Sequence, residues 1–71
     1  MIIYEVMWFS NHDGMIEDCF TLEFKTKREA MSYYRKHKSE KDKYGWKVTK
    51  RNERLEIIEC YVEQVYNRTD D

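Results

Sequence analysis

The chain has 71 residues, a net charge of −1, eleven aromatic residues, two cysteines and no proline. A chain of this length folds as one domain and buries only about 60% of its unfolded surface, so we expect its aromatic side chains to supply most of the core. No apolar stretch reaches the roughly 18 residues of a membrane-spanning helix, which excludes a helical membrane protein. The first residues lack the features of a signal peptide, and two cysteines suit reduced thiols, so we expect a cytoplasmic protein.

The charge is distributed unevenly along the sequence. Residues 25–51 carry a net charge of +8, residues 1–24 carry −5, and residues 52–71 carry −4. A basic middle between two acidic ends is a clue to binding partners, although composition alone does not name them.

Residues 2–10 and 15–25 are rich in β-branched and aromatic residues, and the turn-forming residues 11–14 separate them. This pattern predicts a β-hairpin. A three-residue loop closed by Gly14 would pair Asn11 with Met15 and keep Glu5 in water, whereas a two-residue loop would turn Glu5 towards the core. We therefore expect one shared face to carry Tyr4, Val6, Trp8, Phe20, Leu22 and Phe24.

A helix is predicted after the hairpin. Thr26 and Glu29 have the spacing of a capping box, which marks a helix start. The apolar stripe fades into charged residues after residue 37, so the helix should end near Ser39, with Gly45 as a C-terminal stop. The stripe comprises Ala30, Tyr33 or Tyr34, and His37.

Residues 46–50 alternate as a short strand does, and residues 54–66 admit two interpretations. The β-branched and Tyr residues from Ile57 to Tyr66 favour a strand. A helix would instead align Leu55, Ile58, Val62 and Val65. We predict an α+β fold, ββαββ, with one helix packed on one face of an antiparallel sheet; the alternative is ββαβα. Residues 1–66 form this single domain, and residues 67–71 form a polar tail.

No catalytic or metal site is predicted. Nucleophilic catalysis needs a base within hydrogen-bond reach of the nucleophile, and no motif joins His12 or His37 to a serine or cysteine. His37 falls on the apolar stripe, where a packed imidazole bonded to a neighbour is expected. The cysteine and histidine spacings fit no zinc site, so we predict a non-enzymatic protein without a cofactor.

The basic middle suggests a nucleic-acid surface as one alternative. Phosphate binding needs several cations on one surface, and the helix with its outgoing loop supplies them. A solvated outer helix face has the same composition, so the pattern is not specific. The residues concerned are Arg28, Arg35, Lys36, Lys38, Lys41 and Lys43.

The uncovered face of the sheet suggests a protein-binding surface. One helix covers only one face of a four-stranded sheet, and aromatic and Met side chains rimmed by carboxylates are typical of interfaces. In the predicted register this face carries Glu5, Glu17, Thr21 and Glu59 around an apolar set. We predict partner binding by Met7, Phe9, Ile57, Tyr61 and Val65, with Cys19 beside them.

The arrangement of Thr26, Glu29 and Ala30, a Tyr-bearing helix, and then residues 45–48 (Gly-Trp-Lys-Val) looks like that of many small phage-encoded proteins. This resemblance implies a stoichiometric binder that inhibits or redirects a host protein. The expected function is therefore a protein-binding module whose partner is a host factor or a second copy of the chain. The alternative is a small nucleic-acid-associated regulator that uses the basic region 25–51.

Overall fold

The computed structural model describes residues 1–12 and 16–64. They form β1 (Ile3–His12), β2 (Ile16–Phe24), α1 (Lys27–His37), β3 (Lys43–Arg51) and β4 (Ile57–Glu63). The strands make one antiparallel sheet in the order β2-β1-β3-β4. The predicted ββαββ fold is confirmed, and the helical alternative for the last element is wrong. The predicted domain end at residue 66 and the polar tail lie outside the described residues.

The first hairpin has the predicted facing but not the predicted register. Asn11 pairs with Glu17 rather than with Met15. The difference is two residues, which is one full period of a strand, so no side chain changes face. The loop itself, with Gly14, lies outside the described residues. The shared face is seen in the pairs Tyr4–Phe24, Val6–Leu22 and Trp8–Phe20.

The helix begins at the predicted capping box. Thr26 is the N-cap, and its hydroxyl oxygen accepts from the Glu29 amide at 3.2 Å and donates to the Glu29 carboxylate at 3.0 Å. The first bond satisfies one of the backbone N–H groups that a helix start leaves unpaired. In the second bond the Glu29 carboxylate accepts from the Thr26 hydroxyl, whereas a capping box would have it accept from the Thr26 amide. The helix ends at His37 with Lys38 as its C-cap, close to the expected end at Ser39.

Gly45 lies inside β3, so its predicted role as a helix stop is wrong. Its φ of 65° is in the left-handed region that favours glycine. The ladder with β1 shifts between the pairs Met7–Lys47 and Phe9–Tyr44, where β3 has two intervening residues and β1 has one. This is a β-bulge with a left-handed glycine, and it bends β3 at that point.

A tight turn joins β3 to β4. The side-chain oxygen of Asn52 accepts from the amides of Arg54 at 2.9 Å and Glu56 at 3.0 Å. Leu55 has a φ of 63°, an uncommon value for a residue that is not glycine. The Leu55 amide donates to the Asn52 carbonyl at 3.0 Å. The Asn52 side chain therefore supplies hydrogen bonds that hold the turn in this conformation.

The core lies between α1 and the two central strands, β1 and β3. The Trp8 and Trp46 rings stack with centroids 5.3 Å apart, and Tyr34 contacts Trp46 edge-on at 5.6 Å. These rings supply most of the buried apolar volume, as the composition predicts. Helix and sheet together bury Val6, Trp8, Ala30, Tyr34, Trp46 and Val48.

Candidate protein-binding interface

The sheet has two unlike faces. α1 packs on the face that carries Val6 and Trp8. Side chains alternate along a strand, so their neighbours in β1 point to the other face. No helix or strand among residues 1–12 and 16–64 packs there. We call it the open face, and by strand register it carries Ile3, Glu5, Met7, Phe9, Cys19, Thr21, Glu23, Tyr44, Lys47, Thr49, Arg51, Ile57, Cys60 and Glu63.

The centre of the open face is apolar. Phe9 and Tyr44 are strand neighbours whose rings stack with centroids 6.0 Å apart. Met7 lies two residues before Phe9 on the same face, and all three side chains are half-buried. On the β2 side, Phe9 pairs with Cys19, which is exposed. The middle of the face therefore presents two aromatic rings and a thioether.

Two ion pairs formed by residues of β3 lie next to this apolar centre. Arg51 Nε lies 3.2 Å from Glu5 Oε1, and Lys47 Nζ lies 3.5 Å from Glu63 Oε2. The Arg51 guanidinium also donates through Nη1 to the Leu55 carbonyl at 2.6 Å. The charges that β3 contributes to the open face are thus paired within the chain.

The predicted placement of Tyr61 on the open face is wrong. The β3–β4 ladder shifts after Val48–Val62, where the next pair is Thr49–Cys60, and Tyr61 is the extra residue. A one-residue insertion reverses the alternation, so facing extrapolated across it fails. The Tyr61 ring stacks on Tyr4 of the helix side with centroids 6.4 Å apart.

The same shift moves Glu59 to the helix side. Glu59 pairs with Lys50, and Lys50 Nζ lies 3.7 Å from its Oε1. The Tyr61 hydroxyl donates to Glu59 Oε1 at 2.8 Å, and Lys27 Nζ lies 4.2 Å from the Tyr61 ring centroid. Desolvation of the hydroxyl, together with the hydrogen bond to Glu59, raises the pKa of Tyr61 to about 12.

The structure places three of the five predicted contact residues on the open face, with Met7 and Phe9 close together and Ile57 at the other end of the sheet, beside Arg51. Ile57 is 44% exposed. Val65 lies outside the described residues. Tyr44 is an aromatic residue of the open face that the sequence interpretation did not place there, since Gly45 was assigned to a helix stop rather than to a bulge. A Tyr-Gly pair before an alternating strand was the available signal.

Two residues of the predicted nucleic-acid set are engaged within the chain. Lys43 Nζ lies 2.6 Å from Glu40 Oε1 and 3.6 Å from Asp42 Oδ2, and the hydrogen bond to Glu40 raises the pKa of Lys43. Lys38 Nζ sits 5.7 Å from the Tyr34 ring centroid. The other four, which form no ion pair with a described acid, are exposed: Arg28, Arg35, Lys36 and Lys41.

His37 is packed and bonded, as predicted. Its ring lies 4.2 Å from the Tyr33 ring, and its Nδ1 is 2.5 Å from Glu40 Oε2. Hydrogen bonds from Lys43 and then from His37 lower the pKa of Glu40. Glu40 thus joins the end of α1 to the start of β3, which is a structural arrangement.

Comparison with known proteins gives no further assignment. No protein-family model, curated protein or solved structure matches the chain. Within residues 1–12 and 16–64, no group of three or more His, Cys, Asp or Glu residues could hold a metal ion. No helix in that part of the chain is long and apolar enough to cross a membrane.

Proposed function

We propose that the protein is a non-enzymatic module that binds another protein through its open face. The observation that carries the proposal is the apolar row of Met7, Phe9 and Tyr44 on a sheet face that no described element covers. Aromatic and Met side chains are enriched in the buried centres of interfaces, and ion-paired charges around them suit a rim. The pairs Glu5–Arg51 and Lys47–Glu63 occupy such positions.

The shape of the face favours a protein over a small molecule. Four strands spaced about 4.8 Å apart, with about seven residues each at 3.4 Å, give a face of roughly 450 Å². Small molecules bind in concave sites that enclose them, whereas a flat face of this size suits a small protein interface. We therefore expect a transient complex of moderate affinity.

The partner is a host protein or a second copy of the chain. The resemblance to small phage-encoded proteins supports the first, with the module inhibiting or redirecting the protein that it covers. The two differ in stoichiometry, so sedimentation of the purified protein over a range of concentrations comes first. If the protein is a monomer at every concentration, the partner of the open face is a different protein.

Phe9→Ser tests the proposal. Removing the ring from the centre of the interface should weaken partner binding about thirtyfold or more, as truncation of a central aromatic contact does. The tagged protein captures its partner from nuclease-treated lysate at physiological salt, and the affinity of the purified pair is then measured by calorimetry. If the chain self-associates, the dimer dissociation constant is the readout.

Phe20→Ser is the matched control, because Phe20 is an exposed phenylalanine on the helix side of the sheet. It should leave partner affinity unchanged. Thermal melts of both variants establish that they are folded. Equal affinity of wild type and Phe9→Ser, or equal losses in the two variants, would refute binding by the open face.

A further inference from the structure

A shallow groove runs along the helix side of the sheet, between α1 and the edge strand β2. α1 covers the central strands, so the β2 side chains on this face stay accessible: Phe20 is 43% exposed and Leu22 is 39% exposed. Beside them is an open depression of about 500 Å³, a volume within the range of ligand sites. It is lined mainly by Phe24, Arg28, Ser32, Tyr33, Lys36 and His37.

The floor of the groove is aromatic and well supported. Phe20 stacks on the buried Trp8 ring with centroids 5.9 Å apart. Tyr33 contacts Trp8 at 5.6 Å and Phe24 at 5.7 Å. Phe24 and Tyr33 line the depression, Phe20 lies next to it on the other side of the Trp8 ring, and all three rings remain partly open to a ligand.

The helix wall of the groove is cationic. Arg28 and Lys36 are both exposed, and neither forms an ion pair with an acid in the described part of the chain. Lys36 is eight positions after Arg28 in the helix, which places the two residues about 12 Å apart along the wall. The acid in the lining is Glu29, and its carboxylate accepts from the Thr26 hydroxyl at the helix cap.

We propose that this groove binds single-stranded nucleic acid. Cations along one wall attract a phosphate backbone, and rings on the floor offer planar surfaces on which unpaired bases stack. The carboxylates of an acidic peptide could pair with the cations of the wall, but they offer no planar surface that would stack on the aromatic rings of the floor. A duplex keeps its bases stacked on one another, away from the rings. The groove lies on the opposite side of the sheet from the open face, so this inference does not depend on the proposed function.

The residues of the predicted basic set differ in their location relative to the groove. Arg28 and Lys36 line the groove, whereas Lys43 is held by Glu40 and Asp42. Because stacking does not read base edges, binding should tolerate any base sequence and weaken as salt rises. The groove thus supplies affinity for single strands without base specificity.

Fluorescence anisotropy with a labelled oligothymidine of about ten nucleotides tests the groove, since one small domain covers about 4–16 nucleotides. Replacing both Arg28 and Lys36 by Ala should raise the dissociation constant about tenfold at low salt. The slope of its logarithm against the logarithm of the salt concentration should fall by the contribution of about two phosphate contacts. Phe20→Ser should raise it about fivefold or more and leave the salt slope unchanged.

Arg54→Ala with Lys41→Ala is the matched control, because both residues are exposed cations outside the groove lining. This pair, and Phe9→Ser on the open face, should bind the oligonucleotide as the wild type does. Absence of binding at low salt would overturn the proposal. So would equal losses in the control pair, tighter binding of a duplex of the same length, or competition by polyglutamate as strong as competition by unlabelled oligonucleotide.

Discussion

At the scale of single residues, Thr49 occupies an unexpected environment. It is 1% exposed although it lies on the face that no described helix covers. Lys47 and Arg51 are its neighbours on that face, and we attribute its burial to their aliphatic stems, which extend towards Glu63 and Glu5. None of the described residues offers its hydroxyl oxygen a hydrogen bond. A buried hydroxyl without a partner costs about 1–3 kcal/mol.

Thr49→Val should therefore stabilise the protein. Valine keeps the shape and the β-branch but removes the unpaired hydroxyl, so we expect the free energy of unfolding to rise by about 1 kcal/mol and Tm by about 4–8 °C. Urea denaturation measures the change. Thr21→Val on the exposed part of β2 is the control and should change stability by less than about 0.5 kcal/mol. A destabilised Thr49→Val would mean that the hydroxyl is hydrogen-bonded in solution.

Tyr61 should give the protein a stability change in alkali. Its pKa rises from 10.0 to about 12 on folding, so the folded state retains the phenolic proton more tightly than the unfolded chain does. That stabilisation is complete below pH 10 and is lost as the pH rises from 10 to about 12. Tyr61→Phe removes the titration. In ultraviolet titrations the step near pH 12 should disappear, and an unchanged curve would contradict the assignment.

At the scale of elements, the bulge in β3 determines the centre of the open face. Gly45 takes a left-handed conformation between Tyr44 and Trp46. The extra residue lets Tyr44 lie beside Phe9 on one face while Trp46 enters the core on the other. Strict alternation could place residues 44 and 46 only on the same face. The bulge therefore supplies a core ring and a surface ring from neighbouring positions.

Gly45→Ala should destabilise the protein by about 1–2 kcal/mol, because a Cβ is unfavourable in the left-handed region. Gly45→Asn should cost less, since asparagine tolerates that conformation. Chemical denaturation ranks the variants. A loss of stability in Gly45→Asn as large as that in Gly45→Ala would show that the Cβ clashes with a neighbour rather than with its own backbone.

At the scale of the whole molecule, the fold brings the acidic ends of the sequence onto part of its basic middle. β3 carries cations and lies between β1 and β4. Carboxylates from these neighbours pair with it in Glu5–Arg51, Glu59–Lys50 and Glu63–Lys47. The exposed cations of α1 have no such partners among the described residues, so the positive charge that remains is concentrated on the helix side.

The sequence predicts the order and type of the elements but not the local insertions. Period-two alternation and turn residues sufficed for the first hairpin, because its ladder runs without a shift. Extrapolation failed at Gly45 and Tyr61, where bulges interrupt the alternation. Bulges depend on how strands twist against their neighbours, which is a tertiary property. The groove could not be predicted from the sequence either, because its width depends on which strands the helix covers.

The two edge strands of the sheet, β2 and β4, differ in how readily they could pair with strands of other chains and so cause aggregation during expression. β4 has two register shifts that disrupt a regular docking edge, whereas β2 runs through nine residues with none. A regular edge strand with exposed Phe20 and Leu22 can pair with a strand of another chain. In β2 the exposed carboxylates of Asp18 and Glu23 oppose such pairing by charge repulsion. Charge-neutralising substitutions in β2 would therefore lower soluble yield before they affected the folded core.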